Sequence, residues 1–328
     1  MPRLESYRVP ELPHPRLLKP ANHHLTAASA HMWEWCTRHE LLHSPRVRTR
    51  LEVTRPDLLA ALYYPHADAG ILSDMACWLA WAFLIDDEFD EGEWGRVDTE
   101  HRVERLEWLV QETPSGTVAR TSEPLLWALV ELLPRIMQNR TSNWSQRFAS
   151  NVRSWLRTYA TEAAHRAAGY EPPLELYTLH RRDSYGAPWL LDLCEVETDC
   201  ELPDTLDSLP ELKKIRAVTA DCLTPVNDVY SVPRDAATNY LHNAVLLTAS
   251  QYDCTPQQAA ARVVHRLRRQ IDAFRHARAS LITRLGSSPI PAPALAIRNV
   301  DRLTDSYQNM IAANLAYHRE AAMRYELP

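Results

Sequence analysis

Apolar positions recur at helical spacing through most of the chain. From 25 to 43, Leu25, Met32, Trp33, Cys36, Leu41 and Leu42 fall on such a pattern, which predicts a helix. Residues 69–89 predict a strongly apolar helix that ends in acid. Residues 140–168 predict a long amphipathic helix with Trp144, Phe148, Val152, Trp155 and Tyr159 on one stripe. Two further long helices are predicted over 256–284 and 292–325, separated by the Pro-rich break Gly286–Pro293. Connections are short and carry proline, as at Glu171-Pro172-Pro173, Leu202-Pro203 and Thr255-Pro256. Residues 1–22 are rich in proline and basic residues and read as an extended arm. No internal repeat or low-complexity tract interrupts 23–328, which reads as one all-α domain of some ten or more helices.

Composition narrows the class. Only 7 glycines occur in 328 residues, too few for the turns and phosphate loops of most β or dinucleotide-binding folds. Net charge is −6, which argues against a nucleic-acid partner. The six cysteines form no CxxC pair and are expected to be free thiols in a reducing compartment. The N-terminal segment lacks the apolar core of a signal peptide. The longest uncharged apolar run, Met75–Ile85, has 11 residues, short for a bilayer span. A soluble cytoplasmic protein without membrane insertion is expected.

The most informative stretch is Trp81-Ala82-Phe83-Leu84-Ile85-Asp86-Asp87-Glu88-Phe89-Asp90-Glu91. On a helix Asp86 and Asp90 share a face, and Asp87 and Glu91 form a second such pair. Five carboxylates in six residues repel one another, and acids near a helix C-terminus also oppose the dipole. A hard divalent cation would offset that cost. A solvated acidic helix end has the same composition, but Trp78, Trp81 and Phe83 anchor this helix in an interior.

A second constellation is Asn227-Asp228-Val229-Tyr230-Ser231-Val232-Pro233-Arg234-Asp235. Asn227, Ser231 and Asp235 lie at i, i+4 and i+8, one column on a helix. Amide carbonyl, hydroxyl and carboxylate make an oxygen set suited to a hard cation. Arg234 beside them suits a phosphate. Pro233 favours the competing reading, a turn or cap, because it removes a helical hydrogen bond.

Together the two motifs resemble the class I terpene synthases of bacterial and fungal type. Asp86, Asp87 and Asp90 match the family's DDxxD motif. Asn227, Asp228 and Ser231 match its ND-x-x-S-x-x-x-E triad, with Asp235 where Glu is usual. Arg181 or Arg182, upstream of the triad, stands where the family carries a diphosphate-sensing arginine; the 46-residue separation from Asn227 favours Arg181. Gly186 resembles the helix-break glycine whose carbonyl points at the substrate. Arg324-Tyr325 resembles the family's terminal pair, and Tyr240-Leu241-His242-Asn243 its usual continuation after the triad.

The resemblance implies an antiparallel helical bundle with a deep pocket and the two metal motifs facing each other across its mouth. It implies three Mg2+ ions, with Mn2+ as a substitute, held by Asp86, Asp87, Asp90, Asn227, Ser231 and Asp235. The diphosphate would be taken by Arg181 or Arg182, Arg234, Arg324 and Tyr325. The cation left behind would be folded by aromatic walls drawn from Phe83, Trp78, Phe89, Trp189, Tyr230 and Tyr307. Closure would involve the N-terminal arm and the Arg324-Tyr325 end. Farnesyl diphosphate is the expected substrate of a monomer or homodimer, with geranylgeranyl and geranyl diphosphate as alternatives. Three other readings compete: a chain-elongating prenyltransferase, which would carry a second aspartate-rich motif; a non-catalytic helical scaffold; and a di-iron bundle. The last rests on one Glu162-Ala163-Ala164-His165 unit where two are needed, so Glu162 and His165 are expected at the surface.

Overall fold

The computed structural model places a helix at every periodic stretch. It describes residues 7–15, 19–91, 96–113, 121–238, 240, 242–287 and 293–325. Parts of the arm (1–6 and 16–18), Leu241 and most of the Gly286–Pro293 break therefore lie outside the described residues, as does the Glu91 side chain. Every regular element among the described residues is a helix, as the all-α reading requires. The chain divides into two compact units, Pro20–Tyr170 and a second made of the arm with Glu171–Glu326.

The first unit contains α1 (Leu25–Arg38), α2 (Pro45–Thr54), α3 (Pro56–Tyr63), α4 (Ala69–Glu91), α5 (Arg96–Glu112), α6 (Pro124–Met137) and α7 (Ser142–Ala168). Its core helix is α4, which packs on α1, α2, α3 and α6. Trp78, Trp81 and Ile85 are fully buried, each such side chain contributing about 1.5–3 kcal/mol. Trp78 lies 5.2 Å from Trp81 and 5.3 Å from Phe148 of α7, centroid to centroid. The Trp81 indole N–H donates to the Leu125 carbonyl at 2.9 Å. With its flanks included, α4 reaches the length and mean hydropathy (1.4) of a bilayer-crossing helix, which the 11-residue run alone did not suggest. Some 61% of that apolar window is buried inside the protein, which makes it a core helix. The expected first helix stops at Arg38 instead of running to 43. Glu40 takes a left-handed conformation (φ 55°), and Ser44 caps the next helix by accepting from the Val47 N–H at 3.2 Å. Thr141 caps α7 in the same way, and Gly169 at φ 59° ends it.

The second unit contains α8 (Leu174–Ser184), α9 (Ala187–Glu197), α10 (Asp204–Asp207), α11 (Pro210–Ala237), α12 (Ala244–Gln251), α13 (Pro256–Ser287) and α14 (Pro293–Glu320). The last expected helix ends at Glu320; a 3-10 turn, Ala322–Tyr325, follows it and buries Arg324 and Tyr325. Five of the six cysteines are buried free thiols and Cys254 is half-buried. Burial pushes the Cys36 thiol up to about 12, so it is inert at neutral pH.

The central element is α11, which packs on α8, α9, α12, α13 and α14. It stays helical through both Pro225 and Pro233, so the turn-or-cap alternative for the Asn227 motif does not hold. Pro233 has no N–H to give to the carbonyl four residues earlier, Val229. The Tyr7 hydroxyl of the arm takes that carbonyl at 2.7 Å. The arm is fastened again where the Arg8 N–H donates to Gln257 Oε1 at 2.9 Å and Gln257 Nε2 donates to the Arg8 carbonyl at 3.1 Å. Tyr7→Phe therefore leaves an under-satisfied carbonyl in α11. A loss of about 1 kcal/mol is expected, readable as a lower urea midpoint with an unchanged slope.

Candidate active site

In the first unit the acids of α4 are each held differently. The Tyr159 hydroxyl of α7 donates to Asp86 Oδ1 at 3.1 Å. The Tyr159 ring stacks on Phe89 at 4.3 Å and 16°, so an aromatic pair fixes the orientation of the Asp86 carboxylate. Burial and the neighbouring Asp86 and Asp90 charges push the Tyr159 phenol well up, and it remains a donor. Asp87 is paired with Arg50 of α2, Nε to Oδ1 3.0 Å, both largely buried. Glu88 pairs with Arg102 at 3.0 Å. Asp90 is exposed. Two of the acids are thus paired with arginines from other helices, while the Asp86 carboxylate, one turn from Asp90, is oriented by a phenol.

In the second unit the column on α11 is built as its spacing predicts. Ser231 Oγ donates to Asp235 Oδ2 at 2.5 Å. The Asn243 amide donates to Ser231 Oγ at 3.1 Å, to Asp235 Oδ2 at 2.8 Å and to the Asp228 carbonyl at 2.8 Å. The carbonyl of the same amide caps α12, accepting from Val245 N–H at 2.8 Å and Leu246 N–H at 3.3 Å. One buried side chain therefore starts a helix and gathers two of the three column oxygens. Burial pushes the Asp235 carboxyl up to about 6, and hydrogen bonds from Ser231 and Asn243 only partly counter it.

Asn227 is held from both ends. Arg181 Nη2 donates to Asn227 Oδ1 at 2.8 Å, and Asn227 Nδ2 donates to the Tyr325 hydroxyl at 3.1 Å. Arg181 Nε donates to Asp228 Oδ1 at 3.1 Å. Asp228 is fully buried and also accepts from the Tyr177 hydroxyl at 2.7 Å and the Ala244 N–H at 3.0 Å. The next arginine points elsewhere: Arg182 makes a two-pronged pair with Asp221, at 2.7 and 2.9 Å. His318 stacks almost parallel on Tyr325 (10°). With its Nδ1 on the Asn314 carbonyl at 2.7 Å, burial lowers it to about 4, so it is neutral and turns Nε2 toward Asn227 Nδ2 at 3.5 Å. Arg234, half-buried, sits in the last turn of α11 beside Asp235.

Gly186 breaks the chain between α8 and α9 at φ 75°. Its carbonyl accepts from Leu190 N–H at 3.1 Å, so one lone pair of the expected substrate-facing oxygen serves the first turn of α9. A Cβ at this position would stand 2.5 Å from the Trp189 indole. Among the six aromatic candidates, Trp78 and Tyr307 fill the cores of their own units. Tyr307 lies against Arg216, whose Nε donates to its hydroxyl at 3.1 Å. Trp189 and Phe89 are buried as well, whereas Phe83 and Tyr230 are half-buried. Tyr230 lies 5.5 Å from His318 and 6.2 Å from Tyr325. Glu162, expected at the surface, is buried on α7, and His165 is half-buried beside Tyr170 at 4.8 Å. The reason is that Glu162 continues the Trp155–Tyr159 stripe by three residues.

The donor chemistry fits a hard divalent ion. Amide carbonyl, hydroxyl and carboxylate oxygens converge on one face of α11, and Asp235 is a half-buried carboxylate whose two side-chain hydrogen-bond donors are neutral. A divalent cation suits such a group. Sequence reasoning missed Arg50, Tyr177 and His318, and the site roles of Tyr159 and Asn243, which entered only as part of an apolar stripe and of the continuation after the triad. Asn243 also carried a local signal, an N-cap residue before the apolar run Ala244-Val245-Leu246-Leu247.

Comparison with known proteins shows the family. Residues 77–273, which contain both motifs, match the family described as terpene synthase family 2, C-terminal metal binding. (2Z,6E)-Hedycaryol synthase of Kitasatospora setae is 31% identical over 316 residues, 95% of this chain and 90% of that protein. A 7-epi-alpha-eudesmol synthase of Streptomyces viridochromogenes, named as cyclising (2E,6E)-farnesyl diphosphate, is 29% identical over 245 residues, 73% of this chain and 71% of that protein. The solved structure of hedycaryol synthase in complex with HEPES has a TM-score of 0.83 to this chain at 28% identity, covering 96% of it and 100% of the other. The chain therefore belongs to the class I terpene synthases, an all-α family of lyases with a divalent-metal-binding region.

Proposed function

We propose that this enzyme ionises farnesyl diphosphate with Mg2+ and cyclises the resulting cation to a sesquiterpene hydrocarbon or alcohol. The observation that carries the reading is the half-buried cluster on α11. There the column of Asn227, Ser231 and Asp235 lies within hydrogen-bonding reach of Arg181, Tyr325 and Asn243. The farnesyl chain length is supported by relatives such as the eudesmol synthase, whose name specifies that substrate.

Asp86 and Asp90 in one unit and Asn227, Ser231 and Asp235 in the other are the ligands we assign to three Mg2+ ions. Asp87 is the anchor that ties α4 to Arg50. Bound Mg2+ supplies positive charge that stabilises diphosphate as a leaving group. Arg181 adds a fixed guanidinium whose position is set by Asp228, so little reorganisation is needed as charge develops. Arg234, Arg324 and the Tyr325 hydroxyl complete the diphosphate set. Phe83 and Tyr230 are the aromatic faces we assign to the cation, since a π-face stabilises positive charge without offering a good nucleophile. Gly186 sets the turn that follows Arg181. We infer that the enzyme works in solution in the cytoplasm as a monomer or homodimer, in keeping with a net charge of −6 and buried free thiols.

The test is incubation with geranyl, farnesyl and geranylgeranyl diphosphate plus Mg2+, with the organic extract analysed by mass spectrometry. A cyclic C15 product that disappears with EDTA is expected. Turnover of the C20 or C10 substrate alone moves the assignment to that chain length. A longer prenyl diphosphate formed when isopentenyl diphosphate is added identifies an elongating enzyme instead.

A further inference from the structure

The second unit holds a pocket that shares the Arg181–Asp228 pair in its wall but none of the assigned metal ligands. It opens between α8, α11, α12 and α13 and has a volume of about 100 Å3, room for a short chain and smaller than the roughly 300–1,000 Å3 of drug-sized sites. It borders the Asn227 column on α11: Asp221, Thr224, Pro225 and Asp228 line it, whereas Asn227, Ser231 and Asp235 do not. Leu174, Pro225, Ala244 and Val263 give it apolar walls.

Two features of this pocket are unexplained by packing. The first is Thr248, a lining residue only 2% exposed. Its hydroxyl is buried with no hydrogen-bond partner among the described residues. An unpaired buried hydroxyl costs about 1–3 kcal/mol, and the open space beside it has room for a group that would pair with it. The second is the mouth. Arg262 and Arg266 line it one helical turn apart on α13, both exposed, and like charges at that spacing repel. Among the described residues neither has a carboxylate partner. Arg262 lies over the Tyr252 ring at 4.7 Å, and Arg266 Nη1 donates to Thr178 Oγ1 at 3.2 Å. The two carboxylates that also line the pocket are taken: Asp221 is paired with Arg182 and Asp228 with Arg181.

We propose that this pocket binds a small anionic amphiphile. The apolar body lies between α8, α11, α12 and α13, a polar group at the inner end pairs with the Thr248 hydroxyl, and the anionic head sits between Arg262 and Arg266. The site needs no metal and uses none of the assigned metal ligands.

The test is calorimetric titration of the full chain in EDTA with 6-hydroxyhexanoate, 8-hydroxyoctanoate and 10-hydroxydecanoate, against the unsubstituted alkanoates of the same lengths. One-to-one binding of at least one hydroxy acid is expected, about fivefold tighter than its alkanoate, as one hydrogen bond allows. Thr248→Val, nearly the same shape, is expected to erase that preference while leaving alkanoate binding in place. The double variant Arg262→Ala/Arg266→Ala, changed only at exposed positions, is expected to weaken every carboxylate about tenfold. Melting curves establish that each variant is folded. Absence of binding by all three hydroxy acids at about 1 mM overturns the proposal. Affinities unmoved by the arginine variant, or a hydroxyl preference that survives Thr248→Val, overturn it equally.

Discussion

Arg181→Ala is expected to lower turnover of the prenyl diphosphate about a hundred- to a thousandfold, the usual cost of removing one preorganised donor to a developing anion. Arg182→Ala, one residue along, is expected to leave turnover within a few-fold of the parent. The two side chains leave α8 in directions about 100° apart. Arg181 enters the Asp228–Asn227 cluster, whereas Arg182 is spent on Asp221. Arg181 also neutralises a fully buried carboxylate, and removing one partner of such a pair costs about 3–5 kcal/mol of stability. Lost activity in Arg181→Ala alone would therefore be ambiguous. The double variant Arg181→Met/Asp228→Asn removes both charges and keeps the shape. It is expected to recover most of the melting temperature and none of the turnover. Recovered turnover in that variant, or an equal loss in Arg182→Ala, assigns the sensor wrongly.

Gly186→Ala is expected to be the most destabilising single-methyl change in the second unit. The residue sits at φ 75°, where an L side chain costs about 1–2 kcal/mol. The added Cβ would lie 2.5 Å from three atoms of the Trp189 ring. Trp189 is itself only 3% exposed, so the indole has no free space to enter, and overpacking adds about 1–3 kcal/mol. Together these give roughly 3 kcal/mol, a fall in melting temperature on the order of 5–10 °C. The turn also joins α8, which carries Arg181, to α9, so turnover should fall with stability. An unchanged melting temperature would mean that the turn relaxes to negative φ and that its glycine is dispensable. The smaller variant Trp189→Phe in the alanine background separates the two causes: relief of the clash is expected to restore part of the stability, leaving the backbone strain.

Local spacing made the two oxygen columns legible. Asp86 with Asp90, and Asn227 with Ser231 and Asp235, fall on helix faces whatever the tertiary structure, so both columns could be written from the sequence. The long apolar stripes that became α4, α7, α13 and α14 were legible for the same reason. What organises those columns was not. Arg50 and Asp87 are far apart in the chain, and so are Tyr177 and Asp228, separated by 51 residues; no local pattern links such pairs. The role of Tyr159 was hidden because its ring belongs to the apolar stripe while its hydroxyl serves Asp86. Pro233 read as a helix breaker because the sequence gives no sign that Tyr7, 222 residues from Val229, supplies the missing donor. Neighbouring arginines are indistinguishable by type; the 46-residue spacing favoured Arg181, and the fold places Arg181 in the cluster and Arg182 on Asp221.

The most direct measurement is calorimetric binding of inorganic pyrophosphate, with and without Mg2+, to the parent and to Asp86→Asn and Asn227→Ala. Binding that requires the metal and is lost in each variant separately is the predicted result, because both oxygen sets are assigned to the same metal–diphosphate complex. Pyrophosphate that binds equally well in EDTA, or that binds either folded variant as tightly as the parent, would contradict it.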